Sequence, residues 1–337
     1  MTPPFFSPRR RRLMLGATSL ASFASFATLP AAAWAQSASS NFPTKPIRVL
    51  VPYSPGGGAD SNARLVSQPM GVQLGQSIVV ENRPGASGVI AATAVIQSPA
   101  DGYTMLFDTF PYAVNAVLRK LPFDPVKDLL PVSQAINMPN ILVVPASAPY
   151  KTLKELVDYA RANPGKLSYA SYGAGGSAHL AAEMLKRDAG IDWLHVPYKG
   201  GAPAITDLLA GQVNAYFANP VSGLPYVQSG RLRALATTGR QRMEALPDVP
   251  TVIESGYKDF EVVEWNGFFV PKGTPPAVID RLATAVKEAT QQPETRKRLL
   301  SMGIEPVGNT PKEFGAFLQS QIVRWGALIK SNGITVD

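Results

Sequence analysis

Two glycine-rich loops hold the residues of this chain that could bind a small molecule. The first reads VPYSPGGGAD over residues 51–60 and follows the apolar run IRVLV, a pattern typical of a buried parallel strand. Apolar residues then recur at helical spacing, and we predict that Asp60 caps this helix. Free amides at a helix N-terminus attract anions, because the helix dipole adds to their partial positive charge. The loop therefore predicts either an anion site or a tight turn that binds nothing.

The second loop reads SYGAGGSA over residues 171–178, between a predicted strand and a predicted helix. Gly173, Gly175 and Ala178 satisfy the dinucleotide pattern G-x-G-x-x-A. The acidic residue that should end the next strand is misplaced, because Asp192 precedes that strand instead of following it. A dinucleotide-dependent exported enzyme therefore stays an open alternative to a non-catalytic binding site.

Other catalytic and metal chemistries find little support in the sequence. The absence of cysteine excludes disulfides, thiolate metal sites and a cysteine nucleophile. His179 and His195 are the only histidines, and no G-x-S-x-G nucleophile motif is present. His179 and Glu183 lie four residues apart on a predicted helix, but a third metal ligand at suitable spacing is missing. We expect no catalytic residue, no metal and no cofactor.

Strand and helix patterns alternate along most of the chain, which predicts an α/β fold. The pattern restarts near Asn140, which indicates a second unit. The predicted strands cover 47–51, 78–81, 103–107, 141–144, 167–171, 193–196, 213–217, 232–237 and 262–270. The last predicted helix, 313–330, carries an apolar stripe that we assign to the core.

The N-terminus has the features of an export signal. Arg9 to Arg12 precede an apolar stretch, and Ala33-Trp34-Ala35 fits the small-residue cleavage rule, so we predict cleavage after Ala35 and a periplasmic protein. The arginine run also resembles a twin-arginine signal. Removing residues 1–35 lowers the formal charge from +8 to about +4. No basic face emerges, so nucleic acid is not an expected partner.

Several sequence blocks, in order along nearly the whole mature chain, resemble the tripartite tricarboxylate transporter receptor family, the Bug-type periplasmic solute-binding proteins. These blocks are VPYSPGGGAD (51–60), VENRPGA (80–86), DGYT (101–104), LPFDP (121–125), the stretch from Tyr169 to Leu180, HVPYKG (195–200) and LPDVPT (246–251). The resemblance implies a receptor that captures a small carboxylate and delivers it to the permease subunits of a tripartite transporter. A ligand sensor for a signalling kinase is an alternative use of the same site.

The implied architecture is a two-lobed periplasmic-binding-protein fold, in which each lobe is a mixed sheet flanked by helices and crossover strands join the lobes. We expect lobe 1 to comprise 41–138 and 263–337, lobe 2 to comprise 139–262, and the protein to be a monomer. The resemblance, with the neighbouring strand-end loops, gives the expected ligand-binding residues. They are Tyr53, Ser54, Gly57, Gly58, Ala59, Asp60, Ser87, Thr109, Ser171, Tyr172, Gly173, Gly175, Gly176, Ser177, Phe217, Asn219 and Trp265.

Two departures from the family pattern bear on the ligand. Gly176 stands where a serine or threonine is usual, and Ala218 replaces the acid of the usual Phe-Asp-Asn sequence. A further hypothesis, that the carboxylate is aromatic, rests on rings that could line a cleft. Those rings belong to Tyr53, Phe110, Tyr112, Tyr172, Phe217 and Trp265.

Overall fold

Two mixed sheets organise the chain. The computed structural model describes residues 41–335, so the predicted export signal lies outside the described residues. The first sheet has the strand order β11-β4-β10-β3-β1-β2. Its strands are β1 (Ile47–Val51), β2 (Ile78–Asn82), β3 (Thr104–Thr109), β4 (Leu129–Pro139), β10 (Val263–Pro271) and β11 (Glu305–Pro306).

The second sheet has the order β7-β6-β8-β5-β9. Its strands are β5 (Ile141–Pro145), β6 (Leu167–Ser171), β7 (Trp193–Pro197), β8 (Ala215–Ala218) and β9 (Leu232–Thr237). Each sheet mixes strand directions: β1 pairs in parallel with β2 and β3, and β6 with β7 and β8, whereas β10 and β5 pair antiparallel to their neighbours.

Helices cover both sheets. They are α1 (Gly58–Leu74), α2 (Val89–Ile96), α3 (Pro111–Leu118), α4 (Leu153–Ala162), α5 (Ser177–Ala189), α6 (Gly201–Leu209), α7 (Pro220–Gln228), α8 (Pro276–Gln291), α9 (Pro293–Ser301) and α10 (Pro311–Ser331). In α1 the predicted face is the buried one, because Ala63, Val66 and Met70 are all fully enclosed. No helix in the described part of the chain combines the length and apolar character needed to cross a bilayer.

The two sheets are joined where β4 continues into β5 and where the segment after β9 returns to β10. Asn140 and Thr238 bind each other twice at this junction, since the Asn140 amide donates to Thr238 Oγ1 (2.8 Å) and the Thr238 amide donates to the Asn140 carbonyl (2.9 Å). The Val262 amide donates to the Thr238 carbonyl at 3.0 Å. The chain therefore crosses between the sheets twice, and the residues at these crossings form one hydrogen-bonded bundle.

Helix α10 packs its apolar stripe into the core, as the sequence predicts. Phe314 is fully buried against Trp265 and Phe269, and Trp325 is fully buried against Phe110. The two-lobed α/β architecture with crossover strands is thus confirmed, while the expected lobe boundaries stay a prediction.

Candidate functional site

The first glycine loop lies at the carboxyl end of β1 and leads into α1. Gly57 is the N-cap of this helix, so the prediction that Asp60 caps it is wrong. The Asp60 carboxylate instead accepts from the Gly56 amide (2.9 Å) and from Arg64 Nε (3.0 Å). Burial raises the pKa of Asp60, but these hydrogen bonds lower it by more, so the carboxyl stays ionised at neutral pH.

The amides of Gly58, Ala59 and Asp60 form the first turn of α1. The first backbone hydrogen bond of the helix runs from the Ser61 amide to the Gly57 carbonyl (2.9 Å), and no side chain caps this end. Across the described hydrogen bonds these three amides have no partner. Residues 54–58 are exposed, Ala59 is half-buried and Asp60 is buried, so the Gly58 amide is the most accessible of these donors.

A buried carboxyl group supports the first loop from below. Tyr53 donates its hydroxyl to Asp108 Oδ1 (3.1 Å) and lies 2.8 Å from Thr109 Oγ1, while the Thr109 amide donates to the same Asp108 oxygen (2.7 Å). Burial raises the pKa of Asp108 to about 7, partly offset by the hydrogen bonds from Thr109 and Tyr53. The hydroxyl groups of Tyr53 and Thr109 therefore form a polar cluster with Asp108, and the hydrogen bonds of this cluster fix the position of the Tyr53 ring.

The second glycine loop connects β6 to α5. Side chains of the loop and of α5 accept hydrogen bonds from several of its backbone amides. The Gly173 amide donates to Ser171 Oγ (3.2 Å), and the Gly175 amide donates to His179 Nδ1 (3.1 Å). The Ser177 amide donates to the Tyr172 hydroxyl at 3.1 Å. The Gly176 amide also has a partner, because it donates to the Gly173 carbonyl (3.3 Å).

Two stacked histidines lie beneath the second loop. The His179 and His195 rings are 4.0 Å apart and 9° from parallel, and the Tyr169 ring lies 4.9 Å from His195 and 15° from parallel to it. His195 Nε2 lies 2.7 Å from Ser171 Oγ. Burial lowers the pKa of both rings, that of His179 to about 4, with repulsion by His195 adding to the effect. His179 is therefore neutral at pH 7, as its role as acceptor for Gly175 requires.

A polar network links the second loop to the crossover strands. Tyr172 donates to Glu264 Oε2 on β10 (3.2 Å) and also bonds to Ser177 Oγ, while Asn140 Nδ2 donates to that same serine oxygen (2.9 Å). Asn219 Nδ2 donates to the same Glu264 oxygen at 3.0 Å. Burial raises the pKa of Glu264, against the hydrogen bonds from Asn219 and Tyr172.

The network continues to the first lobe through a methionine. Asn219 Nδ2 lies 3.7 Å from Met138 Sδ, and Asn62 Nδ2 on α1 lies 3.5 Å from the same sulfur. Asn62 also donates to Asn266 Oδ1 on β10 at 2.9 Å. The helices that follow the two glycine loops are thus connected across β4 and β10. We call the connected side chains from Asn62 through Met138 to Asn219 the polar floor.

Several predicted site residues are not on an open surface. Phe217 and Trp265 are fully buried, the first against Phe260 and the second against Phe314 and Phe317, so both belong to the core and their assignment to the cleft is corrected. Phe110 is also fully buried and Tyr112 is 5% exposed. Large apolar rings gain most by leaving water, and the sequence pattern did not show which of them the sheets would cover.

The remaining predicted residues differ in placement. Ser54 and Ser87 are exposed, and Ser87 has a left-handed backbone with φ of 52° and accepts from Asn115 Nδ2 at its carbonyl (2.9 Å). Asn219 caps α7, since its Oδ1 accepts from the Val221 amide (3.0 Å). Within residues 41–335, no cluster of three histidine or acidic side chains could hold a metal ion.

The family model for the tripartite tricarboxylate transporter family receptor matches residues 62–334. The chain belongs to this family. A receptor-family relative, the UPF0065 protein in the tcbD-tcbE intergenic region of Pseudomonas sp. (strain P51), is 39% identical over 290 residues and covers 86% of each chain. Family members are periplasmic solute-binding proteins.

Solved receptor-family structures share the fold of this chain. The structure of R. palustris Rpa4515 with adipate is 34% identical, has a TM-score of 0.77 and covers 87% of this chain and 99% of its own. MatC (Rpa3494) from Rhodopseudomonas palustris with bound malate is 33% identical, has a TM-score of 0.72 and covers 86% of this chain and 100% of its own. Both bound molecules are small dicarboxylates.

Sequence reasoning missed four polar residues of this receptor's central region. Asn62 lies in the predicted first helix and Asn140 at the start of the predicted second unit, where no local pattern indicates their partners, and Asp108 was not among the expected binding residues. Glu264 had a usable signal, because it is the one charged residue in the mostly apolar and aromatic strand VEWNGFFVP. A charge inside such a strand requires partners, and here they are Tyr172 and Asn219.

Proposed function

We propose that this protein is a periplasmic receptor that captures a small aliphatic dicarboxylate between its two lobes and delivers it to the permease subunits of a tripartite transporter. The observation that carries the proposal is the N-terminus of α1, where the amides of Gly58, Ala59 and Asp60 have no partner among the described hydrogen bonds and directly follow the exposed residues 54–57. Family membership and the adipate and malate complexes of relatives support it.

The energetics suit backbone capture of a carboxylate. A hydrogen bond to a charged group contributes roughly 1.5 to 3 kcal/mol, so three amides supply enough for binding in the micromolar range, about 8 kcal/mol. The ionised Asp60 is turned toward Gly56 and Arg64, which moves its negative charge away from a ligand on the free amides. Arg64 neutralises that charge further.

The preference for an aliphatic ligand follows from where the aromatic residues lie. Of the six rings that could have lined a cleft, Phe110, Phe217 and Trp265 are fully buried. Tyr112 is nearly buried, so Tyr53 and Tyr172 are the two rings of this set that stay partly exposed, and hydrogen bonds from their hydroxyls to acidic side chains fix their orientation. Few flat surfaces remain for stacking an aromatic acid.

A dinucleotide-dependent enzyme is the weaker candidate. A phosphate would need the amides of the second loop, but those of Gly173, Gly175 and Ser177 already donate to Ser171, His179 and Tyr172. A sensor that docks on a kinase would use the same ligand site, and transport is favoured because the family model describes a transporter receptor.

Closure on the ligand would take place at the bundle of Asn140, Thr238 and Val262. A ligand shifts a two-lobed protein toward its closed form only when it contacts both lobes in that form. The polar floor from Asn62 to Asn219 lies between the two loops, so a dicarboxylate could place one carboxylate on the first loop and reach the second lobe with the other.

Thermal-shift and calorimetric titration of the mature protein would test this function. The panel should contain adipate, malate, succinate and citrate, with benzoate, terephthalate and nicotinate as aromatic acids. We expect saturable stabilisation by at least one aliphatic dicarboxylate. Binding of the aromatic acids alone would overturn the proposed ligand class, and absorbance of a co-purified flavin or nicotinamide would favour the enzyme. Uptake of the best ligand by cells with and without this receptor would test delivery.

A further inference from the structure

A second, basic cavity lies away from the glycine loops. Its volume is about 430 Å³, it is partly open to solvent, and it is lined by α5, α10, the segment from Ile253 to Glu261, and Arg240. Arg187, which lines the cavity, lies on α5 ten residues beyond Ser177, the first residue of that helix. At a rise of 1.5 Å per residue, the distance along the helix from the second glycine loop is about 15 Å. The cavity is therefore separate from the proposed dicarboxylate site.

Arg324 on α10 is the central cation of this cavity. It is partly buried, and its guanidinium lies over the Trp325 ring, 5.1 Å from the ring centre. Its Nη2 donates to the Asp259 carbonyl (2.8 Å) and lies 3.7 Å from Met184 Sδ. Arg324 forms no salt bridge with any carboxylate in the described chain, although a guanidinium has five donors to satisfy.

The charges around Arg324 are mostly of the same sign. Four cationic and two anionic side chains line the cavity, which leaves a net charge of +2: Arg187, Arg240, Lys258 and Arg324 against Asp259 and Glu261. Glu261 is already paired with Arg240 at 2.9 Å. Arg187 is paired with Asp188 at 2.7 Å, but Lys258 is exposed and has no ion pair among the described residues.

Burial lowers the pKa of Arg324, and repulsion by Arg240 and Arg187 lowers it further against the attraction of Glu261. Glu261 and Asp188 compensate Arg240 and Arg187, so Arg324 and Lys258 are the lining cations that have no carboxylate partner among the described ion pairs. Guanidinium groups bind phosphate and carboxylate through two parallel hydrogen bonds, whereas a monovalent halide offers no such geometry.

We propose that this cavity is a second binding site, which takes a multiply charged oxyanion of the phosphate class. Arg324 would hold the anion from α10, Arg187 from α5 and Lys258 from the segment before β10. The site joins elements of both lobes' helical layers, independently of the dicarboxylate site. Nothing in the proposed transport function requires it.

Calorimetric titration with inorganic phosphate, in phosphate-free buffer of matched ionic strength, would test the site. The unmodified mature protein should show saturable binding near one phosphate per chain, and chloride should not compete at equal ionic strength. Arg324→Gln should weaken phosphate binding at least tenfold. Lys258→Gln should weaken it several-fold, and because Lys258 is exposed, this variant keeps the test valid if Arg324→Gln fails to fold.

Two control variants distinguish binding in this cavity from binding at the general surface or at the first glycine loop. Arg296→Gln removes one positive charge from an exposed arginine on α9, outside the cavity, and should leave phosphate binding unchanged. Gly58→Val should abolish dicarboxylate binding but retain phosphate binding. Absence of saturable binding at phosphate concentrations on the order of 10 mM would overturn the proposal. So would equal losses in the Arg324 and Arg296 variants, or loss of phosphate binding in Gly58→Val.

Discussion

The two glycine loops have the same local structure but differ in which backbone amides they leave free to bind a ligand. Each follows a parallel strand and begins a helix whose N-cap is a glycine, Gly57 or Gly176. In the first loop, three successive helix amides lack a partner among the described residues. In the second, the Tyr172 hydroxyl accepts from the first helix amide, that of Ser177, and the Ser171 and His179 side chains accept from the loop amides of Gly173 and Gly175. Of the first three helix amides, only those of Ala178 and His179 therefore lack a partner among the described hydrogen bonds.

This difference shows that a glycine-rich turn before a helix is only a potential anion site. Side-chain caps and anions compete for the same few donors at a helix N-terminus, so the neighbouring side chains determine which of them binds. Tyr172 decides the outcome in the second loop, because its hydroxyl takes the Ser177 amide. The first loop has no residue in an equivalent position, since Tyr53 points its hydroxyl to Asp108.

The largest expected effect comes from closing the first loop with Gly58→Val. A Cβ at Gly58 would meet no other atom within 4 Å, so the fold should tolerate the change while the side chain covers the free amides. We expect dicarboxylate affinity to fall at least 100-fold, about 3 kcal/mol, by calorimetry. Ala174→Val, at an exposed position of the second loop, is the matched variant and should lower affinity much less. Equal losses would show that the two loops contribute equally.

Tyr172→Phe should make the second loop resemble the first. The change removes the acceptor of the Ser177 amide and the donor to Glu264, and leaves both in a largely buried network. We expect a loss of about 2 kcal/mol in the free energy of unfolding, measured by urea denaturation. Asn219→Asp in the same network would add a second carboxyl beside Glu264 and should destabilise more at high pH than at low pH. Unchanged stability of Tyr172→Phe would show that the hydroxyl contributes nothing to the loop.

Asp108 gives the first loop a pH dependence that a conservative variant should reveal. Its pKa is about 7 in the folded protein and near 4 when unfolded, so between these values the folded state binds more protons and loses stability as pH rises. The slope is about 1.4 kcal/mol per pH unit. Asp108→Asn should therefore gain that amount relative to the unmodified protein between about pH 5 and about pH 6. Parallel pH profiles would contradict the buried-carboxyl assignment.

His179 should give the second loop the opposite pH dependence. Its folded pKa of about 4 is below the unfolded value of 6.5, so the unfolded state binds more protons between them and stability falls as pH decreases. His179→Asn keeps an acceptor close to the position of Nδ1 and removes the titration. Between about pH 6 and about pH 5, the variant should lose about 1 kcal/mol less than the unmodified protein. An equal loss in both proteins would assign the acid sensitivity to other groups.

Much of the secondary structure could be predicted because it follows from local patterns. β1, β6 and β9 have the predicted bounds, and the ends of α10 differ from the prediction by one or two residues. β4, α3 and α7 were not predicted. β4 contains two prolines and several polar residues, and its pairing with β10 rather than its own pattern makes it a strand. α7 begins at a proline and contains another.

The candidate site was predictable in outline and not in detail. The two loops could be located because glycine runs at strand ends are visible in the sequence. Which loop keeps its amides free could not be predicted, because the answer depends on Tyr172 and His179 turning toward the backbone. Trp265 and Phe217 were misplaced for a similar reason: an aromatic residue near a cleft in sequence can pack on either face of a sheet.

The sequence alone determined the α/β class, the family, the position of both glycine loops and the apolar face of α10. Each of these depends on residue type and spacing within short segments, which periodicity and turn chemistry control. The tertiary structure alone decided that Asp60 turns away from the helix amides, that Glu264 meets Tyr172 and Asn219, and that four cations surround one cavity. The last two features join residues far apart in the chain, which only the packing of the two sheets and their helices brings together. The Asp60 contacts join residues four apart, but the choice between capping the helix and binding Gly56 and Arg64 depends on the folded loop.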